Sequence, residues 1–382
     1  MKTLLPSLDQ YETPRLLLEK SCLISNVRRL QKRLSEMGKE VSFRPHMKTA
    51  KCIDVAEAVF GEARPPITVS TLKEAEYFFD HGFNDIIYAV GIAPKKLSRV
   101  IELRRRGAEL KVLVDNIDSA MTVSQAAAEM AVSVPALIEV DTDGHRAGVA
   151  PSDGESLRGI AAILDARGSL AGVLTHAGHS YNCTDMECAA AIANDERDGA
   201  ALAAATLRQS GYAVPIVSVG STPTAHAARS YDGITEVRAG VFMFFDLVMA
   251  GIGACAIEDI GLSVLATVIG HQKSRGWIIV DAGWMAMSRD RGTQKQRIDQ
   301  VYGLVCGVDG AMYPDLLMVE ANQEHGILAL RANSTASLPD LPIGSLVRIL
   351  PNHACATAAQ HEDYLVLEQG TPSAVWKRFS GW

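Results

Sequence analysis

A lysine at the end of an apolar run is the first residue of this chain able to do covalent chemistry. Val41, Phe43 and Pro45 read as the end of a buried strand, and Thr49 as the opening of a helical pattern to about Glu62. Lys48 therefore stands at a strand-to-helix junction, where α/β folds collect their sites. An amine in a shielded pocket there can form a Schiff base; a solvated surface lysine is the plainer alternative. Polar groups follow later apolar runs in the same way: Asp141 to Arg146, Thr175-His176 to Tyr181, Gly220-Ser221-Thr222, and Arg238-Ala239-Gly240. Gly220-Ser221-Thr222 offers backbone N–H groups, hydroxyls and a helix start, a cradle for an anion. Gly240 lets the backbone approach the same anion, although a helix N-cap would also explain Ser221 or Thr222. A Schiff-base lysine beside an anion cradle points to a phosphorylated aldehyde cofactor, pyridoxal phosphate.

Two further groups could assist it. A guanidinium only donates hydrogen bonds, so Arg238 facing a pyridine nitrogen would keep that nitrogen unprotonated and weaken the ring as an electron sink. A salt bridge to Glu236 or Asp232 is the structural alternative. Near the end of the chain, Pro351-Asn352-His353-Ala354-Cys355 carries an H-x-C pair. If the segment is extended, His353 and Cys355 point to one side and can hold one divalent metal, zinc best by ligand type, with manganese or cobalt tolerated. A buried histidine and cysteine would look the same. Asn322 to Gly326 is a second polar cluster that reads equally well as turn chemistry.

The elements that must position these groups follow from periodicity. Eight apolar runs (Val41–Pro45, Ile67–Ser70, Asp85–Val90, Leu110–Asp115, Ala136–Asp141, Ala171–Thr175, Ile216–Gly220, Ile234–Arg238) alternate with helical patterns such as Leu72–Phe79, Ile117–Met130 and Glu187–Gln209. That alternation predicts a (β/α)8 barrel, with a helix over Cys22–Met37 ahead of its first strand. A doubly wound sheet is disfavoured because no G-x-G-x-x-G follows any of the runs. Beyond about residue 255 short strand-like runs succeed one another with little helix, which predicts a β-rich domain.

Composition narrows the function classes. Across 382 residues, 48% are hydrophobic and 21% charged, an ordinary globular balance. A net charge of −7, spread along the chain, argues against nucleic-acid and anionic-membrane partners. The low-charge run Gly240 to Ile257 is interrupted by Asp246 and glycines, so a buried strand and turn is expected rather than a membrane span. Met1 to Pro6 has too short an apolar run for a signal peptide, which predicts a cytoplasmic protein. The seven cysteines are odd in number and contain no C-x-x-C, which predicts reduced, mostly buried thiols.

Arg44-Pro45-His46-Met47-Lys48-Thr49, Asp141 to Val149, Thr175-His176, Gly220-Ser221-Thr222, Arg238-Ala239-Gly240, Asp281-Ala282-Gly283 and Pro351 to Cys355 occur in this order. The chain thereby resembles the fold-type III pyridoxal-phosphate enzymes, an alanine-racemase-like N-terminal (β/α)8 TIM barrel followed by a C-terminal β-rich domain. Within that group it is similar to the metal-dependent D-serine dehydratases, D-threonine aldolases and D-threo-3-hydroxyaspartate dehydratases, and leans to the last, including the Val264–His271 and Asp281–Gly292 stretches. The resemblance implies a barrel over 16–253 and a β domain over 1–15 and 254–382. It implies that Lys48 carries the cofactor, with His176 beside the ring, Arg146 near its phenolic oxygen and Arg238 facing its nitrogen. Gly220, Ser221, Thr222, Gly240 and Val241 would hold the phosphate end, Lys48, His176 and Tyr181 would be catalytic, and His353 and Cys355 would bind the metal. The aldolases carry aspartate where this chain has Cys355 and glutamine where it has Arg238, so the reading favours a dehydratase.

In that reading Lys48 removes the α-proton of a D-3-hydroxy amino acid, and its β-hydroxyl leaves with Lewis-acid help. The products are ammonia and a 2-oxo acid, oxaloacetate from 3-hydroxyaspartate or pyruvate from D-serine. His179 or Arg289 could meet the second carboxylate of hydroxyaspartate. Retro-aldol cleavage to glycine and an aldehyde is the rival within the family. A non-catalytic cofactor carrier, from another class, would resemble the barrel alone. A homodimer is implied by the racemase-like layout.

Overall fold

A computed structural model of the chain describes residues 7–37, 41–144 and 146–382. Met1 to Pro6, on which the signal-peptide argument rests, and His145 lie outside them. The chain divides into two compact units: one of residues up to 28 with Asp54–Val59 and Val241–Ser380, the other of Arg29–Ile53, Phe60–Gly240 and the last two residues.

The second unit holds eight parallel strands, Ser42–Pro45, Ile67–Val69, Asp85–Gly91, Glu109–Val114, Ala136–Val140, Leu170–Thr175, Ile216–Val219 and Glu236–Ala239. Each of the eight apolar runs forms one of them. The first strand pairs with the eighth, Arg44 opposite Arg238. A bridge from His46 to Thr68 and the bond from Met47 N–H to Thr68 O (2.9 Å) join the first strand to the second and close the ring. Covered on both faces, the strands carry branched apolar side chains, and Ile87, Leu113, Leu137 and Leu174 pack as one buried cluster. Several intervening helices start on a polar cap. Thr71, Asn116, Asp153 and Asp185 each accept a backbone N–H three residues on, which satisfies donors that a helix start leaves orphaned.

Three expectations change here. The helix expected from Thr49 starts instead at Ile53: Lys51 has φ 45°, a left-handed conformation that a helix cannot contain. The run Gly240 to Ile257 is helical rather than a strand. Asp246 caps the helix Leu247–Ile252 by accepting Met249 N–H, and Gly253 at φ 88° ends it. Cys183 and Cys188 form a disulfide, with Cα atoms 5.7 Å apart, so the thiols are not all reduced. The turn Gly178–Asn182 runs straight into the helix Met186–Gln209 and brings the pair together, a local geometry that cysteine parity does not record. No helix among the described residues is long and apolar enough to cross a membrane.

The other unit is built on a nine-stranded sheet in the order Trp277–Val280, Gly326–Leu330, Met312–Ala321, Leu304–Cys306, Leu346–Leu350, Leu262–Gln272, Arg15–Glu19, Asp363–Glu368, Thr371–Lys377. Leu262–Gln272 also pairs with Trp277–Val280, so the first six strands close on themselves. All neighbours are antiparallel except Arg15–Glu19 with Asp363–Glu368. Leu8, Leu17, Leu265, Leu365 and Leu367 form a buried cluster beside the Arg15–Glu19 strand.

Candidate active site

At the C-terminal ends of the barrel strands the structure gathers His46, Lys48, His176, Gly220 and Arg238. The first strand is tied to the eighth by the bond from His46 N–H to Ala239 O, 2.7 Å. Lys48 follows in the turn, its side chain exposed and its backbone N–H 3.4 Å from His46 Nδ1. His176 Nδ1 lies 2.9 Å from Gly220 O. A carbonyl only accepts, so Nδ1 carries the proton and Nε2 keeps its lone pair. Burial first, then the positive charges of Lys48, Arg238 and Arg146, hold the His176 pKa down at about 3 against the Gly220 bond. The ring is neutral. Burial, then Lys48 and Arg238, push His46 down in the same way, so the three strand ends share one positive field.

Gly220 sits at φ +140°, and a Cβ there would come within 1.9 Å of Arg238 O; no residue but glycine fits. Its N–H donates to Glu196 Oε1 at 3.0 Å, and the same oxygen accepts Ala177 N–H at 2.9 Å. Ser221 takes the capping role that was one of its two readings. Its Oγ accepts Thr224 N–H at 3.2 Å while its own N–H donates to Thr224 Oγ1 at 3.0 Å. Thr222 N–H meets the Tyr181 hydroxyl at 3.4 Å, and the Tyr181 and His176 ring centroids are 6.3 Å apart.

Arg238 is buried. Nε donates to Ser218 Oγ (2.9 Å) and Nη2 to Thr175 O, so neither bond goes to Glu236 or Asp232. Glu236 accepts instead from Ser218 Oγ (2.7 Å) and from Arg44 Nε (2.5 Å). Arg44 is thereby spent on the barrel interior, with Asp85 as its second partner at 2.9 Å. Arg146 is exposed, its Nη2 3.8 Å from Glu139 Oε1. Val241 is buried at the start of the turn Val241–Met243, which belongs to the other unit.

That unit holds the second group. The segment is not extended throughout: His353 is, at φ −138° and ψ 103°, but Cys355 lies in the first turn of the helix Ala354–Ala358. The pair still meets, the thiol hydrogen-bonded to the imidazole. Asp290 Oδ2 takes the other side of the ring, 2.7 Å from Nδ1. Burial alone would lower the His353 pKa, but Asp290, Cys355 and Asp246 outweigh it and raise it. Asp246 Oδ2 accepts Ala354 N–H at 3.0 Å, fixing the peptide between the two side chains. Among the described residues no three His, Cys, Asp or Glu side chains gather as a metal site, so a metal here would have two protein ligands and open positions.

Other candidates are committed elsewhere. His179 Nδ1 pairs with Asp143 Oδ2 at 2.9 Å, and the Arg289 guanidinium stacks 4.1 Å over the Trp284 ring. Asn322 to His325 is a turn closed by Asn322 N–H to His325 O, 2.8 Å. Sequence reasoning missed Glu196, Asp246 and Asp290. Glu196 left a signal, a lone carboxylate on the alanine-rich apolar stripe of the helix Met186–Gln209; Asp290 left none.

Comparison with known proteins bears on both units. Residues 19–248 match the alanine racemase N-terminal domain, and residues 261–367 the putative serine dehydratase domain. D-threo-3-hydroxyaspartate dehydratase of Delftia sp. (strain HT23) is 50% identical over 97% of this chain and 98% of its own. D-serine dehydratase of Dictyostelium discoideum is 32% identical over 94% of each. A variant of D-threo-3-hydroxyaspartate dehydratase solved in a metal-free form superposes with a TM-score of 0.94 at 49% identity, over 99% of this chain and 100% of that one. The fold is thus that of the alanine racemases, with a dehydratase-type β domain. The chain belongs to the family of the D-threo-3-hydroxyaspartate and D-serine dehydratases, and like them it is a lyase.

Proposed function

We propose that the protein is a pyridoxal-phosphate- and divalent-metal-dependent dehydratase that converts a D-3-hydroxy amino acid, D-threo-3-hydroxyaspartate foremost, to oxaloacetate and ammonia. The observation that carries the reading is the 50% identity to D-threo-3-hydroxyaspartate dehydratase across nearly all of both chains. The residues present fit the cofactor: an exposed lysine amine at a strand end, a buried guanidinium at Arg238, and a loop at Gly220 with no room for a side chain. They also fit a metal, since an imidazole and a thiol in contact form a borderline-soft donor pair suited to zinc.

Bound at Lys48, the cofactor would supply an electron sink for charge developing at the substrate Cα. A divalent ion on His353 and Cys355 would supply Lewis-acid help to a leaving hydroxyl. The chain's own groups do the rest. The Lys48 amine would take the α-proton. His176, with its proton committed to Gly220 O, can only accept at Nε2. Arg238, anchored by Ser218 and Thr175, would offer a donor to the ring nitrogen, and a guanidinium there would supply no proton to it. Gly220 and Ser221 hold their N–H bonds within the protein, so an anion at this loop would be met by Thr222 N–H and the Tyr181 hydroxyl in exchange for the 3.4 Å contact between them, with Gly240 and Val241 following on the chain.

The test is incubation with the D- and L-forms of serine, threonine and 3-hydroxyaspartate, assayed for ammonia, 2-oxo acid and glycine. Ammonia and oxaloacetate should appear fastest from D-threo-3-hydroxyaspartate. Faster ammonia release from D-serine would reassign the substrate, and glycine would mean an aldolase. The active form should be a homodimer, and sedimentation of a fully active monomer would refute that.

A further inference from the structure

We propose that Asp290 is a positioning residue for the metal pair: by accepting a hydrogen bond from His353 Nδ1–H it fixes the proton there and leaves Nε2, on the Cys355 side, as the nitrogen to bind an ion. The inference rests on the metal half of the function proposed above. Its ground is geometric. Asp290 Oδ2 stands 2.7 Å from His353 Nδ1, and an ionised carboxylate only accepts, so the proton sits on Nδ1. The His353 ring is not spent on capping the helix it precedes, which leaves its orientation to Asp290 on one side and Cys355 on the other.

Asp290 is itself held in place. Its N–H donates to Ser288 Oγ (3.2 Å), its C=O accepts from Asn352 Nδ2 (3.2 Å), and its carboxylate takes the Gly292 N–H. Asn352 also donates to Val301 O at 2.6 Å and accepts from Thr293 Oγ1 at 3.1 Å. The loop bearing Asp290 and the segment bearing His353 are therefore cross-tied next to the bond that matters. A histidine ligand fixed through its second nitrogen by a carboxylate is a recurrent way of setting tautomer and raising ligand basicity, and losing the carboxylate typically weakens metal binding ~10–100-fold. A partly exposed ion pair of no consequence is the competing account, since the two side chains are 42% and 32% exposed.

The experiment compares the cofactor-loaded wild type with Asp290→Ala and Asp290→Asn. Each is stripped by chelation and titrated with Zn(II) or Co(II) against a chromophoric chelator. Far-UV circular dichroism and the cofactor absorption band report fold and cofactor binding. Asp290→Ala should bind metal ~10–100-fold more weakly with both spectra unchanged. Asp290→Asn, which can still accept from Nδ1 without the charge, should fall between. If Asp290→Ala does not fold, Asp290→Asn decides alone, a loss of at least threefold in affinity supporting the proposal. Wild-type affinity retained in the variants overturns it while leaving the proposed function intact. A wild type that takes up no metal overturns this inference and the metal half of that function together.

Discussion

Lys48, proposed above to carry the cofactor, has little structural commitment. Its side chain is exposed in the turn after the first barrel strand, so truncation removes little packing, and surface changes of that kind stay within about ±0.5 kcal/mol. Lys48→Ala should therefore keep its melting transition while losing the cofactor band and turnover by ~10³-fold or more. Borohydride reduction that labels another lysine would refute the assignment. His176 makes the opposite commitment. Its pKa is held at about 3 in the folded chain, against ~6.5 for an unfolded histidine. Between these values the unfolded state binds a proton that the native state does not, so stability falls as pH falls, by up to about 1.4 kcal/mol per pH unit. In cofactor-free protein, the wild-type advantage over His176→Gln should shrink below pH ~6.5 with that slope and be constant above it. Urea titrations at stepped pH measure this, and parallel pH profiles would mean the ring protonates freely.

At the level of elements, the loop after the seventh strand works because three parts of the chain hold it at once. Gly220 lies against the backbone of the eighth strand, its N–H is taken by Glu196 from a helix, and its carbonyl holds His176 from the sixth strand. Gly220→Ala would drive a Cβ into Arg238 O at a φ that L-residues rarely adopt. The cost should be at least ~2 kcal/mol, read as a shift in denaturation midpoint. The loss of cofactor affinity should exceed what that instability explains, because Arg238 and His176 move with the strand. An alanine variant with wild-type stability and cofactor affinity would show that the loop can open at no cost.

On the scale of the molecule, the two candidate groups belong to different compact units, Lys48, His176, Gly220 and Arg238 to the barrel, His353, Cys355 and Asp290 to the β unit. A chelator should therefore remove activity while leaving the cofactor absorption in place, and added divalent metal should restore the rate. Two protein ligands make an open site, so stripping should need only mild conditions. Full activity after exhaustive chelation would return His353 and Cys355 to a structural role.

Sequence alone determined the alternation of eight strands with helices, the β-rich remainder and the polar residues at the strand ends. Those features are local: inward and outward residues alternate with a period of two in strands and near 3.6 in helices, so a single chain records them without knowing its neighbours. Gly220 and the H-x-C pair were legible as short local motifs, although the extended geometry expected for His353 and Cys355 was not what formed. What only the tertiary structure decided are pairings across long separations. Ser218 rather than Glu236 takes Arg238, one Glu196 oxygen serves two loops, and Asp290 reaches His353 from 63 residues away. The Cys183–Cys188 bond, though close in sequence, depended on a turn and a helix start that cysteine spacing does not encode. Such contacts are set by strand register and by which loop ends packing brings together, and neither leaves a period in the chain.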